Sequence, residues 1–321
     1  MGQQDRIFPG IALMLGFCII APLIDVAAKL AAQAVPVGTV TLARYLVQGV
    51  LMAPFVWMMR LPLIPHGPAL RLSIARAFVS VLATYCFIAA VQVMPIADAL
   101  AIAFVEPFVI LFIGRFVLGE EVGGRRIAAA VVGFIGALFV IQPSFSRFGA
   151  VALFPLGTAV CFALYILLTR ALSRHVHPVA MQFHTAFLGV LLCLPLLVLG
   201  GFTGVDEIRL AAPEGIFWLW CFCVGLASTI SHMSMTYALK FAPSTLLAPI
   251  HYFEMIAATL FGYLVFGDFP NRLTWVGIAI ITGSGLYVIH RERLKAAQAP
   301  RSAPSDAVSA PKSAQVPQGP A

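Results

Sequence analysis

Charge is scarce in this 321-residue chain: Asp, Glu, Lys and Arg make up only 10% of it, while 61% is hydrophobic. With a mean hydropathy of +0.97, that balance excludes an ordinary water-soluble domain. The alternating apolar and polar pattern of a membrane barrel is also missing. Runs such as 128–141 are continuously apolar, so helices are the only spanning element left. No His-Glu-x-x-His, no Gly-x-Ser-x-Gly and no paired-Asp motif is present, which argues against an intramembrane enzyme. There is no Gly-rich phosphate loop with a lysine, so the chain is not expected to be an ATP-driven pump. The six cysteines, Cys18, Cys86, Cys161, Cys193, Cys221 and Cys223, all fall in apolar stretches and read as small packing residues. Cys221-Phe-Cys223 lacks the spacing of a metal knuckle. Neither a metal nor a cofactor is expected.

What is present is length of apolar sequence. A spanning helix needs about 20 mostly apolar residues, and ten such stretches can be drawn: 8–31, 36–58, 72–93, 96–117, 124–142, 149–171, 178–200, 215–239, 244–266 and 272–290. The fold class is therefore all-α and polytopic. Ile7 to Ile24 is too long for the core of a signal peptide, and Asp25 and Lys29 interrupt the approach to the small residues at 31–34. The first stretch is thus read as an uncleaved helix.

Lys and Arg set the expected orientation. With the N-terminus inside, 15 of the 20 fall at cytoplasmic ends, from Arg6 through Arg60, Arg71 and Arg76 to Lys240 and Arg291. Both termini are expected in the cytoplasm. The net charge of +7 then follows from topology and lipid headgroup contact, and calls for no nucleic-acid partner.

Glu106 and Glu254 stand 148 residues apart, each near the centre of an apolar stretch. Their surroundings repeat at the same spacing: Ser80, Ala90, Pro95, Gly114 and Gly119 return as Ser228, Ala238, Pro243, Gly262 and Gly267, and Glu120 becomes Asp268. Pro, Gly and Glu holding one offset point to an internal duplication. The repeats are drawn as 1–145 and 146–293, with a Pro- and Ser-containing tail at 294–321 that cannot bury enough surface to fold. Five spans per copy force the second copy to enter the membrane from the opposite side. Inverted repeats of this kind can rock around a central site, which favours a secondary transporter over a channel or an enzyme.

The strongest local wording closes each copy: Glu106-Pro107 through Gly114 to Leu118-Gly119-Glu120, and Ala248-Pro249 through Glu254 to Tyr263-Leu-Val-Phe-Gly-Asp268. Asn271 to Gly277 and Gly283 to Tyr287 complete it. In these segments the chain resembles the EamA type of the drug/metabolite transporter superfamily, over residues 8–291. The resemblance implies a ten-helix bundle in a bacterial inner membrane, with a cavity lined mainly by the third, fourth, eighth and ninth spans. It implies transport of small organic metabolites: a cofactor- or vitamin-like compound such as riboflavin first, with amino acids, drugs or S-adenosylmethionine as alternatives. Where the family pattern has Gly-Glu, the second copy has Gly267-Asp268.

An acid at mid-membrane marks a functional site by default, so Glu106 and Glu254 are the first candidates, for proton coupling or for a substrate ammonium. Arg44 lies about eight residues into its span, roughly 12 Å deep at 1.5 Å per residue. Asp25, with Lys29 at i+4, is its expected partner, in a structural ion pair or at a substrate-contacting site. His251 precedes Glu254 by three residues and shares its face, as a cavity wall or proton relay; Tyr252 takes the place that Phe104 holds in the first copy. Phe104, Phe108, Tyr85, Tyr237, Tyr252 and Phe253 are candidates for stacking on a planar ring. His184 and His232 read as packing residues. Small residues at four-residue spacing, Ala129, Gly133 and Ala137, and Ala279 with Gly283, suggest that the fifth and tenth spans brace the bundle or form a homodimer face.

Overall fold

The computed structural model describes residues 7–104, 106–116, 123–141, 149–202, 204–267 and 272–298, and their regular structure is entirely helical. In chain order these are α1 (Ile7–Ala31), α2 (Val37–Met58), α3 (Pro68–Val93), α4 (Ile96–Ala103), α5 (Glu106–Phe116), α6 (Gly124–Ile141), α7 (Leu153–Leu172), α8 (Pro178–Gly200), α9 (Phe217–Phe241), α10 (Ser244–His251), α11 (Phe253–Phe266) and α12 (Arg272–Gln298).

Among the described residues, seven segments are long and apolar enough to cross a bilayer: α1, α2, α3, Gly149–Leu172, α8, α9 and Leu246–Phe266. Among the described residues the fourth expected span is divided into α4 and α5. The fifth and tenth carry shorter apolar stretches, Ile127–Gly136 and Trp275–Ser284. A 25-residue helix such as α1 is roughly 37 Å long, enough for the hydrocarbon core. Large apolar side chains cover the outside, and Trp57, Trp218 and Trp275 lie exposed near helix ends, where an amphipathic ring suits the membrane interface. The chain is a multi-pass, all-helical membrane protein.

Backbone details recur at the 148-residue offset. Pro95 and Pro243 each stand just before the helix that follows them, with φ/ψ of −57/143 and −65/147. Proline pushes its predecessor out of the helical region. Met94 and Ala242 are accordingly extended, and they donate back to Ala90 O at 2.8 Å and Ala238 O at 2.9 Å. Both hairpins therefore turn at the same place.

A second shared feature corrects an expectation. Glu106 and Glu254 do not lie within continuous helices: α4 stops at Ala103 before α5 begins at Glu106, and α10 stops at His251 before α11 begins at Phe253. Pro249 lies inside α10, where it removes a backbone N–H and crowds the turn before it. Pro107 falls in the first turn of α5, where a missing N–H costs little. Both acids thus sit in the first turn of a half-helix, where the backbone dipole favours negative charge.

Close backbone approaches hold the bundle together. A Cβ on Gly225 of α9 would lie 2.3 Å from Val47 Cβ of α2, and one on Gly189 of α8 would lie 2.8 Å from the Tyr45 ring. The small residues of α6 and α12 face each other, since a Cβ on Gly136 would meet Ile280 Cγ2 at 2.9 Å and Gly277 O at 3.0 Å. Helices α6 and α12 therefore brace one another within one chain. Gly267 ends α11 in the left-handed region, φ 76°, with its N–H 3.0 Å from Tyr263 O, as a C-terminal glycine does. Its neighbour Asp268, the Gly119-Glu120 pair and the Phe108 side chain lie outside the described residues. Helix α12 continues to Gln298, past the 294 at which the tail was expected to begin; residues 299–321 lie outside the description.

Candidate functional site

A cavity of about 100 Å³ opens between the helices of the two matched halves. Glu106, Glu254, Arg44, Asp25, His251 and Phe104 all line it. The geometry thus gathers into one space residues from α1, α2, α4, α5, α10 and α11.

His251 joins the matched acids. Its Nδ1 lies 3.2 Å from Glu106 Oε1, and its Nε2 lies 2.7 Å from Glu254 Oε2. The first contact is an aligned hydrogen bond; the second is a close ion-pair distance without hydrogen-bond alignment. All three side chains are buried. An imidazole donates from both nitrogens only when it is protonated, so a proton on His251 serves both carboxylates at once and leaves the trio with one net negative charge. Ala103 occupies the place of His251 in the first copy, so one half alone supplies the bridge. Cys18 of α1 covers the break beside it, its thiol 3.6 Å from Ile250 O and 3.8 Å from His251 O. That weak donor meets carbonyls which the interrupted helix leaves over. No group of three or more His, Cys, Asp or Glu among the described residues is arranged to hold a metal ion.

Arg44 does not pair with Asp25. It donates from Nη1 to Thr84 Oγ1 and from Nη2 to His232 Nε2, and lies beside the Tyr45 ring. A guanidinium offers no acceptor, so His232 Nε2 accepts and a neutral ring carries its proton on Nδ1. Arg44 Nε finds no partner, and neither Arg44 nor Asp25 makes an ion pair with another described residue. Lys29 reaches Met94 O at 3.0 Å and lies over the Phe266 ring.

The aromatic wall differs from the expected one. Phe17, Phe162, His232 and His251 form a box, with Phe17 to His251 centroids 5.2 Å apart and Phe162 to His251 5.8 Å. Phe104 meets the His251 ring nearly edge-on and contacts Tyr252, which is fully buried behind it. Tyr85 and Tyr237 stand away from the cavity. Tyr85 packs against the Ala27, Ala28 and Ile88 cluster, and Tyr237 lies against His177 and Phe241. Their period placed them on the right helices but a different face. Helices α1 and α7, not expected as wall elements, supply Phe17 and Phe162. One signal was available: Tyr165, which stacks on Phe162, is the 148-residue counterpart of Phe17.

One helical turn below the cavity lies a polar layer. Arg76, fully buried on α3, donates to Thr169 Oγ1 (2.7 Å), Met181 O (3.2 Å), Thr185 Oγ1 and Tyr165 OH (2.7 Å), and covers the Tyr165 ring at 4.3 Å. Every one of these partners is neutral. Beside it Gln48 Nε2 donates to Gln182 Oε1 at 2.9 Å, and Gln182 Nε2 to Thr236 Oγ1 at 2.7 Å. Gln48 and Thr236 follow the cavity residues Arg44 and His232 by four positions, and Arg76 precedes Ser80 by four. Both networks link the first half to the second.

The sequence pattern of the EamA-like transporter family matches twice, at residues 8–142 and 149–289. The chain belongs to the EamA-like transporter family. As a member, it is a small-molecule transporter and not an enzyme. It is 27% identical to a riboflavin transporter of Brucella anthropi over 223 residues, covering 70% of this chain and 76% of that protein. A riboflavin transporter of Vibrio cholerae is 26% identical over 266 residues, 81% and 85% of the two chains. An S-adenosylmethionine uptake transporter of Rickettsia felis is 24% identical over 201 residues, 63% and 65%. A crystal structure 19% identical in sequence superposes with a TM-score of 0.68, covering 88% of this chain and 98% of the other; that likeness concerns the fold.

Proposed function

We propose that this EamA-family protein is a secondary transporter that carries a small, ring-bearing organic metabolite across the bacterial inner membrane by alternating access. Its ten spans form two inverted five-helix repeats with both termini cytoplasmic. The observation that carries this reading is the His251 bridge between Glu106 and Glu254, one acid from each repeat, on the wall of a shared aromatic cavity. A proton moving among those three groups changes the charge of the cavity and the contacts between the halves together, which is what coupling requires. Phe17, Phe104 and Phe162 supply faces and edges for a planar ring.

Riboflavin is the first compound to test, in keeping with the names of the Brucella and Vibrio relatives. S-adenosylmethionine is the second, in keeping with the name of the Rickettsia relative. The decisive experiment uses purified protein in liposomes preloaded with unlabelled compound, measuring exchange of labelled riboflavin and labelled S-adenosylmethionine. Exchange above protein-free liposomes, with accumulation when an inward or outward proton gradient is imposed, supports the proposal. Absence of exchange for both compounds, from protein shown to be folded and inserted, overturns this choice of substrates.

A further inference from the structure

The two ends of the cavity are closed by unlike chemistry. On α3 the wall runs from Ser80 to Ile88. Arg76, one turn before Ser80, caps it with bonds to Tyr165 and Thr169 of α7 and to Met181 and Thr185 of α8. At the 148-residue offset the place of Arg76 is taken by Val224, fully buried in an apolar cluster with Ala28, Val40 and Ile88. Ile88 lies twelve positions along α3 from Arg76, roughly 18 Å at 1.5 Å per residue, so Val224 stands at the far end.

The Arg76 end is built so that it can come apart. Thr169 Oγ1 keeps Tyr165 O at 2.6 Å and Thr185 Oγ1 keeps Met181 O at 3.0 Å whether or not the guanidinium is there. Water is close to Arg76, since the exposed Arg71 lies five positions earlier on the same helix, roughly 8 Å away. Gln48 Oε1 in the layer and Ser73 Oγ, one turn beyond Arg76, are buried without a hydrogen-bond partner among the described residues. Each gains one when water enters. The closed layer thus buries a cation on neutral dipoles alone, against the pull of water on that charge.

From this we infer that Arg76 is the latch of the transport cycle at this end: its bonds across the halves hold the layer dry, and their release admits water and opens the cavity. The inference rests on the transporter function proposed above and adds a positioning residue to it, one that acts through the helices it ties and touches no cargo. A latch of this kind responds in opposite directions to two changes. Removing an acceptor while the cation stays leaves a buried charge short of partners, which favours the open, hydrated arrangement. Removing the cation together with the Tyr165 hydroxyl makes that part of the layer apolar, which favours the dry one. A residue that merely braces the bundle would loosen it either way.

Thiol labelling of the full-length protein in lipid nanodiscs reads both ends at once. Ser73→Cys, a near-isosteric change at a hydroxyl without a partner, reports on the Arg76 end; the native Cys221, buried in the Val224 cluster, reports on the other. N-ethylmaleimide incorporation is followed at each position by peptide mass spectrometry. Tyr165→Phe should speed labelling at position 73 by about tenfold, the weight of one hydrogen bond to a charged group, and leave Cys221 no faster. Thr185→Val, which removes a different acceptor, should act in the same direction, so the outcome does not hang on the folding of one variant. Arg76→Met combined with Tyr165→Phe should slow labelling at position 73 below that of the Ser73→Cys parent. Faster labelling at both positions in the acceptor variants means general loosening and overturns the inference. So does labelling at position 73 that the acceptor variants leave unchanged, or that the double variant speeds. No cargo takes part in this measurement, so a failed liposome exchange strikes the choice of substrates while the latch stands, and an unmoved thiol strikes the latch alone.

Discussion

Phe104 and Tyr252, 148 residues apart in sequence, touch: their ring centroids lie 5.4 Å apart with planes at 64°, and both side chains are fully buried. Each occupies the break between two half-helices, so the interruptions of the two repeats meet through their side chains. Behind Tyr252 stands Gly133, where an added Cβ would fall 2.5 Å from Tyr252 Cδ2 and 2.7 Å from Cε2.

Gly133→Ala should therefore displace the Tyr252 ring, and with it the edge contact on Phe104. Overpacking of this kind costs about 1–3 kcal/mol. The expected outcome is a lowered melting temperature together with slower transport. An unchanged melting temperature would mean that the ring has somewhere else to go.

The bridge predicts a division of labour. Glu106→Gln and Glu254→Gln each remove one charge that a His251 proton serves, and His251→Ala removes the link. All three should abolish proton-driven accumulation while exchange down a substrate gradient persists. Accumulation that survives both glutamine variants would place coupling elsewhere.

Arg76 offers a double-substitution test. Thr169 Oγ1 donates to Tyr165 O at 2.6 Å and Thr185 Oγ1 to Met181 O at 3.0 Å, so both hydroxyls keep a partner without the guanidinium. Only the Tyr165 hydroxyl would lose its partner in Arg76→Met. Adding Tyr165→Phe should recover about 1 kcal/mol of that loss, the value of one buried polar group left unpaired. Chemical or thermal denaturation of the four proteins reads the coupling.

Phe162 stacks on Tyr165 and touches the Phe17, His232 and His251 rings. Phe162→Ala should weaken ring-bearing ligands by several-fold, since an aromatic contact contributes about 0.5–1.5 kcal/mol. Equilibrium binding measures it, and an unchanged affinity would remove Phe162 from the ligand contact.

Much of this was legible because depth and period are properties of local sequence. The 148-residue offset marked Glu106, Glu254, Pro95 and Pro243, and the backbone turns identically at both prolines. His251 was placed on the face of Glu254 by its i,i+3 spacing, but its bond to Glu106 crosses 145 residues and arises only from packing. Arg44 was singled out by its depth, with a structural ion pair and a substrate contact both left open. Its partners were not, because Thr84 and His232 belong to helices whose rotation a hydropathy pattern does not define. Tyr85 and Tyr237 failed for the same reason: in an almost wholly apolar helix, nothing in the period separates the cavity face from the lipid face. The half-helix breaks were not read from the sequence, since whether a proline interrupts a span depends on neighbours that can satisfy the freed backbone groups.

The layer beneath the cavity is fastened by Arg76 through hydroxyls, a carbonyl and a ring, with no carboxylate partner among the described residues. Ionic strength weakens attraction between opposite charges, but it has little purchase on a cation held by neutral dipoles in a dry interior. This layer should therefore hold to the same degree at low and at high salt.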